Sequence, residues 1–262
     1  MAAQRPRDAD GHRQQLKMVS RERRSSAHRT PTPPSPPSVA MPPASKLVYR
    51  LIETEDDVRA GVRSLRRKCA IMRRVHDHSG DPPLRRNAAG FEGLARIIVG
   101  QQLSVASATA IWGRFEQTLR PLSAAKVLKA SDETLRAVGM SGGKIRTLRA
   151  ISTAVATRQL DLDALASAPD LTVHESLRQV SGIGPWTADI YLLFCLGRAD
   201  AFAAGDLALQ IAAAMAADQG PRLSLTELEE MSERWRPWRG VAARLLWHYY
   251  KVSKEQRSGA PV

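Results

Sequence analysis

Asp206 is the residue on which chemistry could turn. It follows a loop of small residues, Ala199 to Gly205, and opens an apolar helical run that begins Leu207-Ala208-Leu209. An aspartate there is a favoured helix N-cap, and capping alone would account for it. The same position suits a negatively charged side chain through the helix dipole, and negative charge is what a group stabilising developing positive charge requires. Trp186 lies 20 residues upstream, at the start of the preceding apolar segment.

Between two helical patterns stands Ser181-Gly182-Ile183-Gly184. The glycines permit a tight turn and a close backbone approach that side chains would block. Exposed N–H groups of such a hairpin, followed by a helix N-terminus, form an anion site suited to a phosphate. Ile183 would plug the hairpin into the core. A Gly-Ile-Gly turn is common, so this feature alone reads equally well as an ordinary connection between helices.

The elements that must position these residues read as helices almost throughout. Val58, Val62, Leu65, Cys69 and Met72 recur at spacings of three and four behind Thr54 and Asp57, predicting one first helix. Phe91, Leu94 and Ile98 mark a second, and Val105 to Leu119 a third behind Ser104 as a cap. Further helices are expected at 124–129, 131–138, 144–158, 171–180, 186–196, 207–217, 226–233 and 239–252. Only 46–52, where Leu47, Tyr49 and Leu51 alternate, resembles a short strand, and it reads equally well as an extended lead-in. The expected fold is all-α, with one folded domain over 46–262.

Residues 1–45 carry seven prolines between Pro31 and Pro43 among Arg, Ser and Gln, a composition that predicts a disordered tail. The tail holds eight basic and three acidic residues, so subtracting its +5 from the chain's formal +13 leaves +8 on the rest. Such an excess suits a polyanionic partner, and equally a solubilising surface. Two cysteines, Cys69 and Cys195, are too few for a disulfide framework, a four-cysteine zinc site or an iron-sulfur cluster. His76-Asp77-His78 alternates in an expected loop without further ligands, and no metal is expected there. The richest apolar stretch, Tyr191 to Ala217, is interrupted by Arg198, Asp200 and Asp206, so no membrane span is expected. The N-terminus lacks the basic-then-apolar pattern of a secretory signal, and a cytoplasmic protein, or a nuclear one in a eukaryote, is expected.

Val180 to Ala188 (VSGIGPWTA), followed at this distance by Gly205-Asp206-Leu207, resembles the signature of the helix-hairpin-helix Gly/Pro-Asp (HhH-GPD) base-excision DNA glycosylases, most closely the DNA-3-methyladenine glycosylase II branch. Ile97 to Val105 (IIVGQQLSV) is similar to that family's segment leading into the helix that wedges into DNA. Gly139 to Lys144 with Leu148 resembles its middle motif, and Trp235-Arg236-Pro237-Trp238-Arg239 with Trp247 its last helix. The resemblance implies two helical subdomains flanking a DNA-binding cleft, and a monomer that binds double-stranded DNA containing damaged bases and uses no cofactor. It departs from the strand-cleaving members, which carry a lysine where this chain has Trp186, so no lyase activity is expected.

The resemblance also implies roles. Asp206 would stabilise the oxocarbenium character of the sugar and orient water. Trp186 and Trp247, with Tyr191 as a weaker choice, would stack on a cationic alkylated base, although a tryptophan more often packs in a core, as expected for Trp112. Gln102 and Leu103 would fill the gap left by a flipped base, or else be a helix-terminal polar residue and a core residue. Ser181, Gly182 and Gly184 would hold phosphates by their amides, with Lys144 and Arg239 supplying charge. Asp189, one turn from Trp186, reads as a structural acceptor. Rival readings are a glycosylase of the same fold for oxidised, deaminated or mismatched bases, and a helix-hairpin-helix module that binds DNA without chemistry.

Overall fold

In the computed structural model residues 49–258 are described; the expected tail and the first residues of the expected strand lie outside them. The rest of that strand segment forms a single antiparallel bridge, Leu51 to Arg198, and among the described residues there is no strand.

Local chemistry sets the helix starts. Helix α1 (Glu55–Lys68) opens on a capping box in which Thr54 and Asp57 satisfy each other's backbone amides. The single first helix expected from periodicity is two, because Cys69 is extended (φ −139, ψ 116) and α2 (Ala70–Ser79) begins after it. The break lets α1 and α2 pack on each other and on the last helix, burying Leu65, Cys69 and Met72 together. His76, Asp77 and His78 therefore lie on α2, not in a loop, with His76 Nε2 2.8 Å from Asp81 Oδ1. Among the described residues no group of three or more His, Cys, Asp or Glu is arranged to hold a metal ion.

Then follow α3 (Gly90–Gly100), α4 (Val105–Thr118) capped by Ser104, α5 (Ala124–Lys129), α6 (Asp132–Ala137), α7 (Gly142–Ala156), the one-turn α8 (Leu162–Leu165) and α9 (Asp170–Arg178). Helix α10 (Pro185–Ile190) runs on into a π-helical turn, Tyr191–Cys195, and α11 (Leu207–Ala217), α12 (Leu225–Glu233) and α13 (Arg239–Ser258) complete the chain. Helices α1, α2, α11, α12 and α13 pack as one group and α3 to α10 as another. The buried guanidinium of Arg244 helps join them, donating from α13 to the carbonyls of Leu84, Gly240 and Leu193. Among the described residues no helix is long and apolar enough to cross a membrane.

Candidate active site

The two helical groups meet at Asp206. Its Oδ1 accepts the Leu209 amide at 3.0 Å, which is the N-cap of α11. Two further donors converge on the same carboxylate: Trp186 Nε1 reaches Oδ2 at 2.8 Å and Trp247 Nε1 reaches Oδ1 at 3.0 Å. An indole N–H is a donor only, so each ring is fixed by the bond it makes and presents its faces elsewhere. Three donors to a half-buried carboxylate hold it in one rotamer at the junction of α10, α11 and α13.

Beside Trp186 opens a cleft of 390 Å³, within the range of small-molecule sites. Ile190, Phe194, Trp112 and Leu103 supply apolar walls, and Arg85, Asn87 and Arg96 supply polar groups. The ring centroids of Phe194 and Trp247 are 5.5 Å apart, and the Arg244 guanidinium is 5.0 Å from the Phe194 centroid. Trp112, expected in the core, is 5% exposed and contributes to the cleft wall, with Arg96 5.5 Å from its ring. Trp247 borders a smaller adjoining cavity with Pro83, Arg85 and His248.

The hairpin between α9 and α10 is built as its glycines require. Gly182 has φ +88, a conformation that L side chains rarely adopt, and a Cβ there would stand 2.0 Å from Thr147 Oγ1 on α7. Val180 and Ile183 are buried beneath the turn, while Ser181 and Gly182 are exposed. The amides of Ser181, Gly182 and Gly184 donate to no backbone acceptor among the described residues. Pro185 occupies the first turn of α10, where a missing N–H costs nothing.

The α3–α4 turn stands at the rim of the cleft. Gln102 adopts φ +55 and is exposed, and Leu103 is 37% exposed and lines the cleft, so neither belongs to the core. Gln101, unassigned from sequence, donates from Nε2 to Thr187 Oγ1 at 2.9 Å and fixes this turn to α10.

Three expected site residues are placed elsewhere. Tyr191 is fully buried, its hydroxyl accepting the Gly90 amide at 3.0 Å, and burial pushes its pKa up to about 12. It anchors the start of α3 and does not face the cleft. The reason is angular: five residues beyond Trp186 is about 140° around a helix, whereas Ile190 and Phe194, at four and eight, return to the same side. Phe194 was legible by that spacing. Lys144 donates to the Val99 carbonyl at 2.7 Å, capping the end of α3, and desolvation lowers its pKa. Arg239 is bound to Asp200 and Glu233 at the start of α13, with its side chain 18% exposed. Neither cation is free for a phosphate. Tyr191→Phe is expected to cost about 1 kcal/mol of stability through the lost hydrogen bond, read by thermal unfolding, and to leave the cleft's ligand preference unchanged.

Asp189 Oδ1 lies 3.4 Å from His174 Nε2, between the two helices of the hairpin. Burial, followed by the charge of Glu229, pushes the carboxyl up to about 7, and burial, followed by Arg178, pulls the imidazole down. Below about pH 7 the carboxyl is therefore neutral, and the contact is not an ion pair despite its salt-bridge distance. A carboxyl whose folded pKa exceeds its unfolded value stabilises the fold fully below the unfolded pKa of about 4, and that contribution is lost as pH rises through about 7. Asp189→Asn should remove this loss, gaining on the native protein by about 2 to 4 kcal/mol at pH 8 and little at pH 4 in thermal unfolding.

Residues 95–238, more than half the chain, match the HhH-GPD superfamily of base excision DNA repair proteins. The chain belongs to that superfamily. Across 175 residues it is 26% identical to the alkylbase DNA glycosidase-like protein mag2 of Schizosaccharomyces pombe, covering 64% of this chain and 81% of that one. It is 38% identical over 102 residues to the probable bifunctional transcriptional activator/DNA repair enzyme AlkA of Mycobacterium tuberculosis, covering 39% of this chain but only 20% of the relative's length. The fold is similar to that of the S. pombe 3-methyladenine DNA glycosylase in complex with abasic DNA, with TM-score 0.68, 25% identity, and coverage of 74% of this chain and 97% of that one. The hairpin, Trp186, Asp206 and the α3–α4 turn all lie in the superfamily span; α1 and α2 lie outside it.

Proposed function

We propose that this protein is a monofunctional DNA glycosylase that hydrolyses the N-glycosidic bond of alkylated bases, of the 3-methyladenine and 7-methylguanine type, acting as a monomer on double-stranded DNA. The observation that carries the reading is the Asp206 carboxylate, fixed by two indole N–H groups beside an aromatic cleft. Superfamily membership and the names of the relatives, alkylbase and 3-methyladenine glycosylases, support it.

A base inside a duplex is out of reach, so the lesion nucleotide rotates out and Leu103 and Gln102, exposed on the α3–α4 turn, fill the gap. The amides of Ser181, Gly182 and Gly184 hold phosphates through the hairpin, with Ile183 as its anchor. In the cleft the face of Trp186 takes the cationic base and Phe194 extends the aromatic wall, with Trp247 packed against Phe194 outside the cleft lining. The C1′–N bond breaks with its electron pair going to the already cationic base, which leaves neutral. Positive charge then develops on the sugar, where the Asp206 carboxylate stabilises it; water adds to C1′ and gives up its proton to that carboxylate. The indole at position 186 offers no amine for a Schiff base, so the strand is left intact.

A second reading has one observation in its favour. Arg85 and Arg96 line the cleft, and guanidinium groups favour a neutral, acceptor-rich base over a cation. A DNA-binding module without chemistry is disfavoured by Asp206, since an anion near phosphates weakens binding unless it serves a reaction. Chromatography of bases released from methylated genomic DNA, beside duplexes carrying 8-oxoguanine or hypoxanthine, decides among these. Release of 3-methyladenine or 7-methylguanine is the expected result; release of only the neutral lesions would favour the second reading, and DNA binding without any release would sink both enzymatic ones.

A further inference from the structure

On the side of the molecule formed by α1 and α2, Arg63, Arg66, Arg67 and Arg73 converge on a cleft of 680 Å³ that shares no residue with the one beside Trp186. From Arg63 to Arg74 the sequence holds six basic residues and no acidic one. Arg66 is paired with Asp77, but the guanidinium groups of Arg63, Arg67 and Arg73 form no ion pair among the described residues. Four arginines elsewhere are held by carboxylates: Arg149 by Asp132, Arg198 by Asp170, and Arg236 and Arg239 by Asp200 and Glu233. Arg63 and Arg67, one turn apart on α1, repel each other unless an anion lies between or above them.

We propose that this arginine cleft is a second DNA-binding surface, which takes the phosphate backbone of the duplex flanking the lesion. All four cations are arginines, whose planar fork matches phosphate oxygens in a way that a solubilising lysine does not. The surface is separate from the catalytic centre. Neighbouring Arg74 donates to the Ala216 carbonyl in the last turn of α11, the helix whose first turn Asp206 caps. Ten residues at 1.5 Å each put about 15 Å between the two ends, the length of about four or five base pairs. A duplex centred on Asp206 and running toward the far end of α11 extends far enough to meet it. The surface rests on DNA binding alone and does not depend on which base the cleft accepts.

The test compares duplexes carrying a stable abasic-site analogue, one short enough to fill only the hairpin and cleft, the other with flanks of about ten base pairs on each side, about 34 Å. For the triple variant Arg63→Ala, Arg67→Ala, Arg73→Ala, the slope of log affinity against log salt on the long duplex is expected to fall by about 2 to 3, three phosphates at about 0.9 each. Affinity for the short duplex, and base release from a short lesion duplex, should be unchanged, which also shows that the variant folds. The corresponding triple lysine variant should keep the steep slope. An unchanged slope on the long duplex would mean a solvated face and overturn the proposal. Equal losses on both duplexes would make the arginines part of the lesion site, and a loss seen only with an excess of a second, unlinked duplex would assign the surface to another DNA molecule; either result overturns it.

Discussion

Asp206→Asn should lower base release about a hundred- to a thousandfold, with the loss in the bond-breaking step and not in DNA affinity. Asn is as good an N-cap as Asp, so the bond from the Leu209 amide survives and the cap's contribution to stability should change by less than about 1 kcal/mol. What does not survive is the symmetry of acceptors. The carboxylate accepts the Trp186 indole on one oxygen and the Trp247 indole on the other. An amide offers one oxygen only; if it keeps Leu209 and Trp247, its NH2 faces the Trp186 N–H, donor against donor. Trp186 would then turn, and affinity for the free base would fall along with the rate. DNA affinity should hold or rise slightly, since one negative charge near the phosphates is gone. Single-turnover base release and fluorescence-anisotropy titration separate the two. Release at the native rate would show that the carboxylate is only a cap.

The second large effect is expected at the hairpin. Gly182→Ala places a Cβ 2.0 Å from Thr147 Oγ1 at a backbone φ of +88. Strain and overpacking together should cost about 2 to 4 kcal/mol, and the turn must lift from α7 to relieve the clash. The Ser181 and Gly184 amides move with it, so affinity for undamaged duplex should fall about tenfold or more, which is 1.4 kcal/mol or more. Thr147→Ala in the same chain removes the hydroxyl and its methyl neighbour and should restore part of both losses, because the φ penalty and a Cβ contact of 2.9 Å remain. Gly184→Ala provides the contrast. Nothing lies within 4 Å of its added Cβ and its φ is −95, so stability should hardly change. Equal effects at both glycines would mean that the turn is sensitive to any substitution, not to the space beside Thr147.

The all-α character, nearly every helix start, the hairpin and the carboxylate at the head of α11 were legible in the sequence. All of these rest on near neighbours: Thr54 with Asp57, Ser104 with Ser107, and Asp206 with Leu209 are contacts across three residues, and helical periodicity repeats within a turn or two. Superfamily resemblance extended that reach to the α3–α4 turn. Which partners meet over longer separations depends on how the helices pack. That both indoles bond to Asp206, one from 41 residues away, follows from how α13 packs on α11. The break at Cys69 accompanies the packing of both α1 and α2 on α13, and periodicity is blind to it because the apolar spacing continues through the break. Tyr191, Lys144 and Arg239 show the same limit. Each has a side chain that suits DNA chemistry, yet each is committed to Gly90, to Val99 or to Asp200 and Glu233, distant groups whose buried or terminal polar atoms needed a partner.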